Sequence, residues 1–502
     1  MTGAIADKDR SEERRDRLEP PDAREHQAQQ KAGSLRKFIG RERTRTKRRH
    51  KHIATYRSEH YSMFGVVQKY TTRRDLIAER NNTCVSMNTA LYGKDIIAIS
   101  VIFIIIFGAR IFSLRVDNII TNSKTGRIGS AGTHEHIGLI HIHSEYSGDA
   151  QGSYEELAEA AGGHGLDFMI VTDHNNTRAI ADGRQGIYGR TLLLTGVEST
   201  RPEGYLLGLG IADYRIARAD PTETFLSQVA AEGGFVIMAH ARNSHWPWKG
   251  QIDGRMAGIE VIDFADQIYD ASLLAKIMAA LSFPINRFYA FVSLYHRPRA
   301  VIELWDAVSA QRPFVGIFAS DIHQNLKIFK NRYKFPRAKD LMPFALNHLI
   351  CSRPPSGDFE TDRETVLDAI RSGHLFMAVD LLGDSSGFLF SARQESRRGI
   401  MGDVLEANEV TLFNVTLPQI ESRQKIRVDV YRDGKKLCSK SALRSGSSAS
   451  ARCSHSLELP LSLDFQSSLP GAYRVEVVVS VPNFWGFGRE VTWIYSNPIH
   501  LF

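Results

Sequence analysis

Cysteine is scarce in this chain of 502 residues, which has only Cys84, Cys351, Cys438 and Cys453. Four thiols are too few for a disulfide-rich scaffold or for a zinc–thiolate cluster. Cys438 and Cys453 flank a Ser/Gly-rich stretch, and they are open to two interpretations: a disulfide, if this region lies outside the cytoplasm, or two unpaired thiols. Any metal site in this chain is therefore expected to use nitrogen and oxygen ligands.

The chain also lacks an internal repeat and an even distribution of charge. Its formal net charge is +7, yet residues 1–95 contain 22 lysines and arginines against 13 aspartates and glutamates, so the remainder is close to neutral. The basic character therefore belongs to the N-terminal segment and does not indicate a nucleic-acid-binding protein. Residues 1–94 have no sustained apolar periodicity and are predicted to be a basic, largely disordered tail, with Met87 as an alternative translation start.

Only one long apolar run occurs, and it predicts a membrane span. Residues 96–109 are continuously apolar and the run continues past Arg110 as IFSL, giving about 19 residues, which just cross a bilayer if the Arg110 head group reaches the interface. Residues 95–115 are predicted to be an uncleaved signal anchor, because no small-residue cleavage site follows closely. The preceding basic segment predicts a cytoplasmic N-terminus and an extracytoplasmic remainder, joined by a linker over 116–133. A buried core helix is the alternative.

Strand and helix patterns alternate between residues 134 and 384. Apolar runs such as IGLIHI, DFMIVT, FVIMAH and FVGIFAS are typical of buried strands, whereas SYEELAEAAGGHG and ETFLSQVAAEGG are typical of helices that end in glycine. Alternation over about 240 residues predicts a parallel α/β barrel. Helical periodicity stops near residue 385, and short alternating segments then predict an all-β sandwich over 385–502.

Metal-ligand residues follow several of the apolar runs in the predicted barrel. Side chains at the C-terminal ends of parallel barrel strands converge on one site. His141 and His143 share one face of a strand, and Asp321 and His323 repeat this spacing on a late strand. A single histidine of this kind is usually a core or surface residue, but the combination favours a multi-metal site. The candidate ligands are His141, His143, His174, Glu198, His240, Asp321 and His323.

Two carboxylates in this set have individual predicted roles. Glu198 can bridge two metal ions about 3.5–4 Å apart, because each of its oxygens can bind one ion. Taken alone it would be interpreted as a surface glutamate after a strand. Asp173, which precedes His174 in the sequence TDH, is predicted to orient a ligand instead of binding a metal. Ligand nitrogens and oxygens without thiolates suit Zn, Mn or Fe.

The motifs HIHSEYSGD, GLDFMIVTDHN, GVE, MAH and ASDIH, in this order, resemble those of the PHP (polymerase and histidinol phosphatase) superfamily of metal-dependent phosphoesterases over about residues 134–382. The resemblance implies a distorted (β/α)7 barrel with two or three divalent metal ions. The segment before ASDIH and the ending YSNPI look more like the carbaryl-hydrolase-like branch. By this resemblance, the first metal is bound by His141, His143, Glu198 and Asp321, the second by Glu198 and His240, and the third by His174 and His323, with Asp149 as a further candidate.

One position departs from the pattern of the superfamily. Where the superfamily often has a histidine in a GHLLGLG-like strand, this chain has Tyr205, which removes a ligand of the second metal. His245 is a candidate replacement, although a surface or stacking role suits it better. Trp246 and Trp248 are expected either to wall the pocket or to cover the rim of the barrel.

Together these features predict a membrane-anchored, outward-facing metallohydrolase that uses metal-activated water on a small-molecule ester. A phosphoester and a carboxyl or carbamate ester are both open as substrates. The alternative is a catalytically degenerate barrel that binds metal and acts as a binding or structural module, which Tyr205 favours. The predicted partners are the ester and the membrane, through residues 95–115; nucleic acid is not expected, because tail and barrel would face opposite compartments.

Overall fold

A computed structural model describes most of the chain after residue 81. The predicted N-terminal tail up to that residue, most of the predicted linker and Cys453 lie outside the described residues. The chain divides into two compact units, Met1–Val101 and Ile102–Phe502. The described residues are 82–114, 120–122, 132–215, 218, 220–328, 330–418, 420–422, 426–442, 462–485 and 487–502.

The first described element is a long helix, α1 (Asn82–Ser113). Its stretch Ile96–Ser113 is long and apolar enough to cross a membrane, judged by length and composition. Side chains from Ile96 to Ile106 are exposed, whereas Ile111 and Leu114 are buried. A core helix of a soluble protein would be mostly buried, so the exposed apolar turns agree with the predicted span. The orientation of the chain in a membrane stays a prediction.

A ring of hydrogen-bonded strands forms the centre of Ile102–Phe502. Most of their side chains are buried, as expected for apolar runs that are covered on both faces. Among the described residues five neighbouring pairs in the ring are parallel and two are antiparallel, and the order returns to its first strand. Around the ring the strands are β2 (His134–Ile142), β3 (Phe168–Val171), β5 (Thr191–Thr195) with its continuation β6 (Val197–Arg201), β7 (Gly204–Leu209), β8 (Phe235–Ala239), β9 (Met256–Asp263) and β10 (Val315–Ile322).

The direction of β7 differs from the all-parallel arrangement that the sequence suggested. β7 runs antiparallel to both β6 and β8. Only Pro202 and Glu203 separate β6 from β7, and so short a connection can join only antiparallel strands, because a parallel crossover needs a dozen or more residues. The structure is therefore mixed α/β.

Helices pack against these strands and connect them. α2 begins with a capping box in which Ser153 and Glu156 satisfy each other's backbone N–H groups, as the sequence SYEE indicates. Three helices between β9 and β10 were not predicted from the sequence. The helices are α2 (Tyr154–Gly163), α3 (Arg178–Ala181), α4 (Thr222–Ala231), α5 (Phe264–Asp270), α6 (Leu273–Ser282), α7 (Arg287–Leu294), α8 (Arg299–Ser309), α9 (Ala338–Leu341) and α10 (Phe359–Arg371), with 3₁₀ turns at Glu145–Ser147 and Asp380–Leu382.

The C-terminal region is built of strands, as predicted. One layer continues from the ring through β13 and β14, which pair antiparallel, and passes to β24, β23, β20 and β21. The other layer has the order β16–β15–β18–β22. The strands of the two layers and of their connections are β13 (Leu346–Cys351), β14 (Leu375–Ala378), β15 (Leu389–Arg393), β16 (Arg398–Ile400), β17 (Val404–Leu405), β18 (Thr411–Thr416), β20 (Ile426–Arg432), β21 (Lys435–Ala442), β22 (Ser462–Ser467), β23 (Gly471–Pro482), β24 (Gly488–Ser496) and β25 (Ile499–Leu501).

Short pairings complete the secondary structure. The predicted hairpin at Asp433 and Gly434 joins β20 to β21, and both residues have positive φ, 49° and 74°, as a tight two-residue turn requires. β14 precedes the predicted domain boundary between residues 384 and 385 and pairs with β24, which follows it, so backbone hydrogen bonds join the two sides. The boundary stays a prediction. The remaining strands are β1 (Ile120–Asn122), paired with β19 (Ile420–Ser422), β4 (Gly186–Tyr188), and β11 (Leu326–Ile328), paired with β12 (Asn331–Tyr333).

Candidate metal centre

His141 and His143 lie at the end of β2, and both side chains are fully buried. The register of β2 against β3 shifts between Ile140 and Ile142, so His141 occupies a bulge. The Nε2 atoms of the two imidazoles are 3.1 Å apart. The two histidines therefore converge as the sequence predicted, but they do so across a bulge and not on a regular strand.

Three site residues share an unusual backbone conformation. His141, His240 and Asp321 have φ angles of 65°, 50° and 45°, in the left-handed region that residues other than glycine rarely adopt. Each lies at or near the end of a different strand: β2, β8 or β10. Such strain persists only where the surrounding structure imposes it, and it concentrates at functional sites. Its occurrence on three strands points to a site that requires these side-chain directions.

Glu198 on β6 lies at the centre of the cluster, with 1% of its surface exposed. Its Oε2 atom is 2.7 Å from Nδ1 of His174 and 3.4 Å from Nε2 of His143, and its Oε1 atom is 3.3 Å from Nε2 of His240. Neither oxygen has a hydrogen bond of proper geometry within the described residues. A buried carboxylate without donors is costly unless a cation balances it, so this arrangement fits a bound metal ion.

The carboxylates of Asp321 and Asp149 contact histidines of the cluster, including the more exposed His174 and His323. Oδ1 of Asp321 lies 3.1 Å from Nε2 of His143 and 3.3 Å from Nδ1 of His323, and it too has no hydrogen bond among the described residues. Oδ2 of Asp149 is 3.2 Å from Nε2 of His174 and 3.6 Å from Nε2 of His323. The structure thus brings all eight predicted ligands into one cluster, while their role as ligands stays a prediction.

Three acidic residues at the end of β9 and the start of α5 were missed by the sequence analysis. Oε1 of Glu260 is 2.5 Å from Nδ1 of His141, and its Oε2 accepts a hydrogen bond from the backbone N–H of His240. Oδ1 of Asp266 is 3.0 Å from Nδ1 of His240, and Asp263 lies 3.9 Å from the Nδ1 atoms of both histidines. The signal was available in GIEVIDF, where Glu260 interrupts an apolar run.

In His141, His143 and His240, the two ring nitrogens face different partners. Nδ1 of His141 faces Glu260, and Nδ1 of His143 faces the hydroxyl of Ser147 at 3.0 Å. Nδ1 of His240 faces Asp266 in the same way. An N–H donated at Nδ1 leaves a lone pair on Nε2, and in all three residues Nε2 points toward Glu198. Glu260 and Asp266 are therefore better placed to orient ligands than to bind an ion.

Among the described residues, three groups of side chains have the spacing of a metal site. In each group one ligand atom per residue lies within 4.8 Å of every other. Burial and the nearby His323 lower the pKa of His143 to about 3, so its imidazole is neutral. Burial lowers the pKa of His174, but Asp149 and Glu198 raise it to about 10, so a bound cation would displace a proton from that imidazole. Burial raises the pKa of Glu198, but His141 and His174 lower it well below its usual value and keep it ionised. The groups are His141, His143 and Glu198; His143, His174 and His323; and His141, His240, Glu260 and Asp263.

Asp173 lies beside the cluster and holds the chain after His143. Its Oδ1 accepts a hydrogen bond from the backbone N–H of Ser144, and its Oδ2 accepts one from the Ser144 hydroxyl, both at 2.7 Å. Burial raises the pKa of its carboxyl. The aspartate thus acts on the turn that carries His143 and makes no direct contact of this kind with an imidazole. Its predicted orienting role stays a prediction.

The aromatic residues around the site have different positions. Tyr205, on β7, meets the ring of His240 edge-on, with centroids 5.7 Å apart. His245 is exposed and its ring lies against Trp246 and Tyr269. It belongs to none of the three groups found in the described part of the chain, so the structure does not support it as a replacement ligand. Trp248 is buried.

Comparison with known proteins adds two distant similarities. No protein-family model and no curated protein matches the chain. A two-domain protein from Bacteroides vulgatus, described as containing a predicted PHP-like metal-dependent phosphoesterase, is 13% identical over 74% of this chain and 98% of its own, with a TM-score of 0.33. An amidohydrolase from Chromobacterium violaceum, with bound sulfate and no metal, is 13% identical over 37% of this chain and 87% of its own, with a TM-score of 0.23. Scores this low do not establish a common fold.

Proposed function

We propose that the chain is a PHP-type metal-dependent hydrolase of an ester bond, anchored in a membrane by α1. The observation that carries the proposal is the environment of Glu198. Its carboxylate is buried, lies within 3.5 Å of four histidine side chains and has no hydrogen bond within the described residues. A metal ion satisfies such a carboxylate and the facing imidazole lone pairs together.

The residues present fit two or three divalent ions such as Zn, Mn or Fe. When bound, such ions acidify water and neutralise the charge that develops on an ester during hydrolysis. We propose that the ring of strands is the distorted (β/α)7 barrel of this superfamily, in the carbaryl-hydrolase-like branch. The proposed ligands are His141, His143, Glu198 and Asp321 for the first ion, Glu198 and His240 for the second, and His174, His323 and Asp149 for the third.

The exposed end of the cluster is where a substrate would enter. His174, His323 and Asp149 have 21%, 26% and 41% of their side-chain surface exposed, whereas His141 and His143 have none. The ester would therefore approach from the His174 side. A phosphoester is the first candidate and a carboxyl or carbamate ester the second, and both present oxygens that a cationic site can bind.

The membrane anchor would place the hydrolase outside the cytoplasm. The support is the exposed apolar part of α1 together with the basic segment that precedes it in the sequence. A reporter enzyme fused after Phe502 tests the orientation. The expected result is activity of a reporter that works only outside the cytoplasm, whereas activity of a cytoplasmic reporter would contradict the orientation.

The proposed function is tested by metal content and turnover of the full chain purified in mild detergent. The expected result is two or three divalent ions per chain and release of p-nitrophenol from a phosphodiester, a phosphomonoester or a carboxyl ester. His141→Ala combined with His143→Ala should lose both metal and turnover, whereas the matched control His164→Ala, which changes an exposed histidine outside the cluster, should keep both. Bound metal without turnover of any ester would favour the degenerate binding module, and absence of bound metal after supply of Mn and Zn would overturn the proposal.

A further inference from the structure

Exposed apolar side chains are concentrated in two neighbouring places near the end of α1. The first is α6 with the residue Ile285 that follows it, and the second is the loop between β23 and β24. Single exposed apolar residues are common on proteins, but a contiguous group marks an interaction surface. We call the group the apolar rim; its members are Leu273, Leu274, Ile277, Leu281, Ile285, Trp485 and Phe487.

Both parts of the apolar rim are attached to the last turns of α1. The ring of Phe107 stacks on that of Phe484, with centroids 5.3 Å apart, and Nε of Arg110 donates a hydrogen bond to the Phe484 carbonyl at 2.7 Å. On the α6 side, Nδ2 of Asn286 donates to the carbonyl of Leu114 at 2.6 Å. The rim is therefore continuous with the helix proposed to span the membrane.

The length of the apolar stretch determines how deep this attachment lies. Ile96–Ser113 has 18 residues, or about 27 Å at about 1.5 Å per residue, slightly less than the hydrocarbon core of about 30 Å. The exposed part from Ile96 to Ile106 accounts for only about 16 Å of this length. If α1 crosses the bilayer, its docked turns must also lie at acyl-chain depth, and so must the residues that contact them.

We propose that the apolar rim is inserted into the bilayer leaflet next to the folded unit, so that the partner of this surface is lipid. Leucine and isoleucine side chains of α6 would lie among the acyl chains, and Trp485 would lie near the headgroups, where tryptophan is enriched. The proposal requires α1 to span the membrane and does not depend on hydrolase activity.

Quenching of tryptophan fluorescence by brominated lipid tests this surface in the full chain. The chain is reconstituted in phosphatidylcholine vesicles that carry bromine either near the headgroup or near the chain ends. Trp485 is 76% exposed, so we expect headgroup-proximal bromine to quench part of the emission and Trp485→Phe to remove that quenched part. The control Trp246→Phe changes another exposed tryptophan and should leave the quenching unchanged. Equal quenching with and without Trp485 would overturn the proposal for the loop.

A second pair of variants tests α6 in the Trp485→Phe background. Leu274→Trp introduces a reporter at a position that is 70% exposed, and Leu469→Trp introduces one that is 55% exposed. Leu469 precedes the other end of β23, whose 12 residues span about 40 Å. We expect brominated lipid to quench Leu274→Trp and not Leu469→Trp. A Leu274→Trp reporter shielded from both brominated lipid and aqueous acrylamide would mean that a second copy covers α6, and it would overturn the proposal, as would equal quenching at both positions.

Discussion

Glu198 and Glu260 show how one cluster uses buried carboxylates for two purposes. Both are almost fully buried, at 1% and 2% exposure. Glu198 faces the Nε2 atoms of three histidines without a hydrogen bond, whereas Glu260 contacts the opposite nitrogen of His141 and the backbone of His240. The first arrangement suits a metal ligand and the second suits a residue that fixes the orientation of a ligand.

Glutamine substitutions separate these two roles. Glu198→Gln should remove at least one ion per chain and reduce turnover below detection, because it removes a ligand shared by two ions. Glu260→Gln should retain all ions at saturating metal but weaken metal affinity by about 10–100-fold, as loss of a residue that orients a ligand does. Elemental analysis and metal titration measure both effects. Exposed Glu159→Gln is the control, and equal metal loss in both variants would contradict the division of roles.

Tyr205 supplies the second prediction at this scale. Its ring meets His240 edge-on, so Tyr205→His should place an additional imidazole next to the proposed second ion. We expect a higher ion count per chain or tighter binding of the most weakly held ion. The measurement is metal stoichiometry of the two proteins at limiting and at saturating metal. Unchanged stoichiometry and affinity would show that residue 205 does not reach the ion.

Site residues could be predicted from the sequence where strand alternation determines their position, and could not where contacts between distant strands determine it. His141, His240 and Asp321 follow apolar runs, so their convergence was predictable from strand alternation. Their left-handed backbone was not predictable, because it results from the packing of neighbouring strands. Glu260 interrupts the apolar run GIEVIDF, but this interruption does not show what the carboxylate faces, and only its contact with His141 reveals its place.

At the scale of elements, predictions succeeded where local patterning decides structure. The capping box of α2 and the hairpin turn between β20 and β21 depend on a few adjacent residues, and both are observed. The antiparallel direction of β7 and the helices α5 to α7 were missed. The two-residue connection between β6 and β7 dictates the direction of β7 locally, whereas the placement of the three helices depends on long-range packing that the strand–helix alternation does not encode.

A buried charged network joins β2, β13 and the turn Asp380–Leu382. Nδ1 of His348 lies 2.6 Å from Glu135, and its Nε2 lies 2.9 Å from Asp380 and 3.0 Å from the hydroxyl of Ser385. Burial lowers the pKa of His348, but Asp380 and Glu135 raise it to about 10. The imidazole is therefore protonated in the folded chain at neutral pH. The network ties β2, which also carries the proposed ligand His141, to β13 and to the turn Asp380–Leu382, which carry no proposed ligand.

This raised pKa makes the stability of the fold depend on pH. A group whose pKa is higher in the folded than in the unfolded chain stabilises the fold. For His348 this stabilisation is complete below the unfolded pKa of about 6.5 and is lost as the pH rises toward 10. Between pH 7 and 10 the unfolding free energy of the wild type should therefore fall relative to that of His348→Gln, by an amount on the order of a few kcal/mol. Denaturant unfolding at several pH values measures this difference. His164→Gln, an exposed control, should follow the wild type, and a constant gap between wild type and His348→Gln would contradict the prediction.

On the scale of the whole molecule, a buried ion network ties the C-terminal strands to a helix of the strand ring. Arg474 on β23 donates from Nε and Nη2 to the two oxygens of Asp306 on α8, at 2.5 and 2.7 Å. Its Nη1 donates to Glu476 at 2.7 Å, and Arg297 contacts the same glutamate. The hydrophobic core is also shared between the two regions, so we expect them to unfold together.

Removing Arg474 should therefore destabilise the whole unit and not only the C-terminal strands. Arg474→Ala leaves Asp306 buried without its cation and removes one of the two arginines that contact Glu476, which typically costs about 3–5 kcal/mol. The control Arg184→Ala breaks a surface pair with Glu155 and should cost at most about 1 kcal/mol. Denaturant unfolding followed by near-UV circular dichroism and by metal release should give one coincident, shifted transition. Loss of the C-terminal strands at a denaturant concentration where metal stays bound would show instead that the two regions are energetically independent, because a shared core cannot lose one half while the proposed metal centre remains intact.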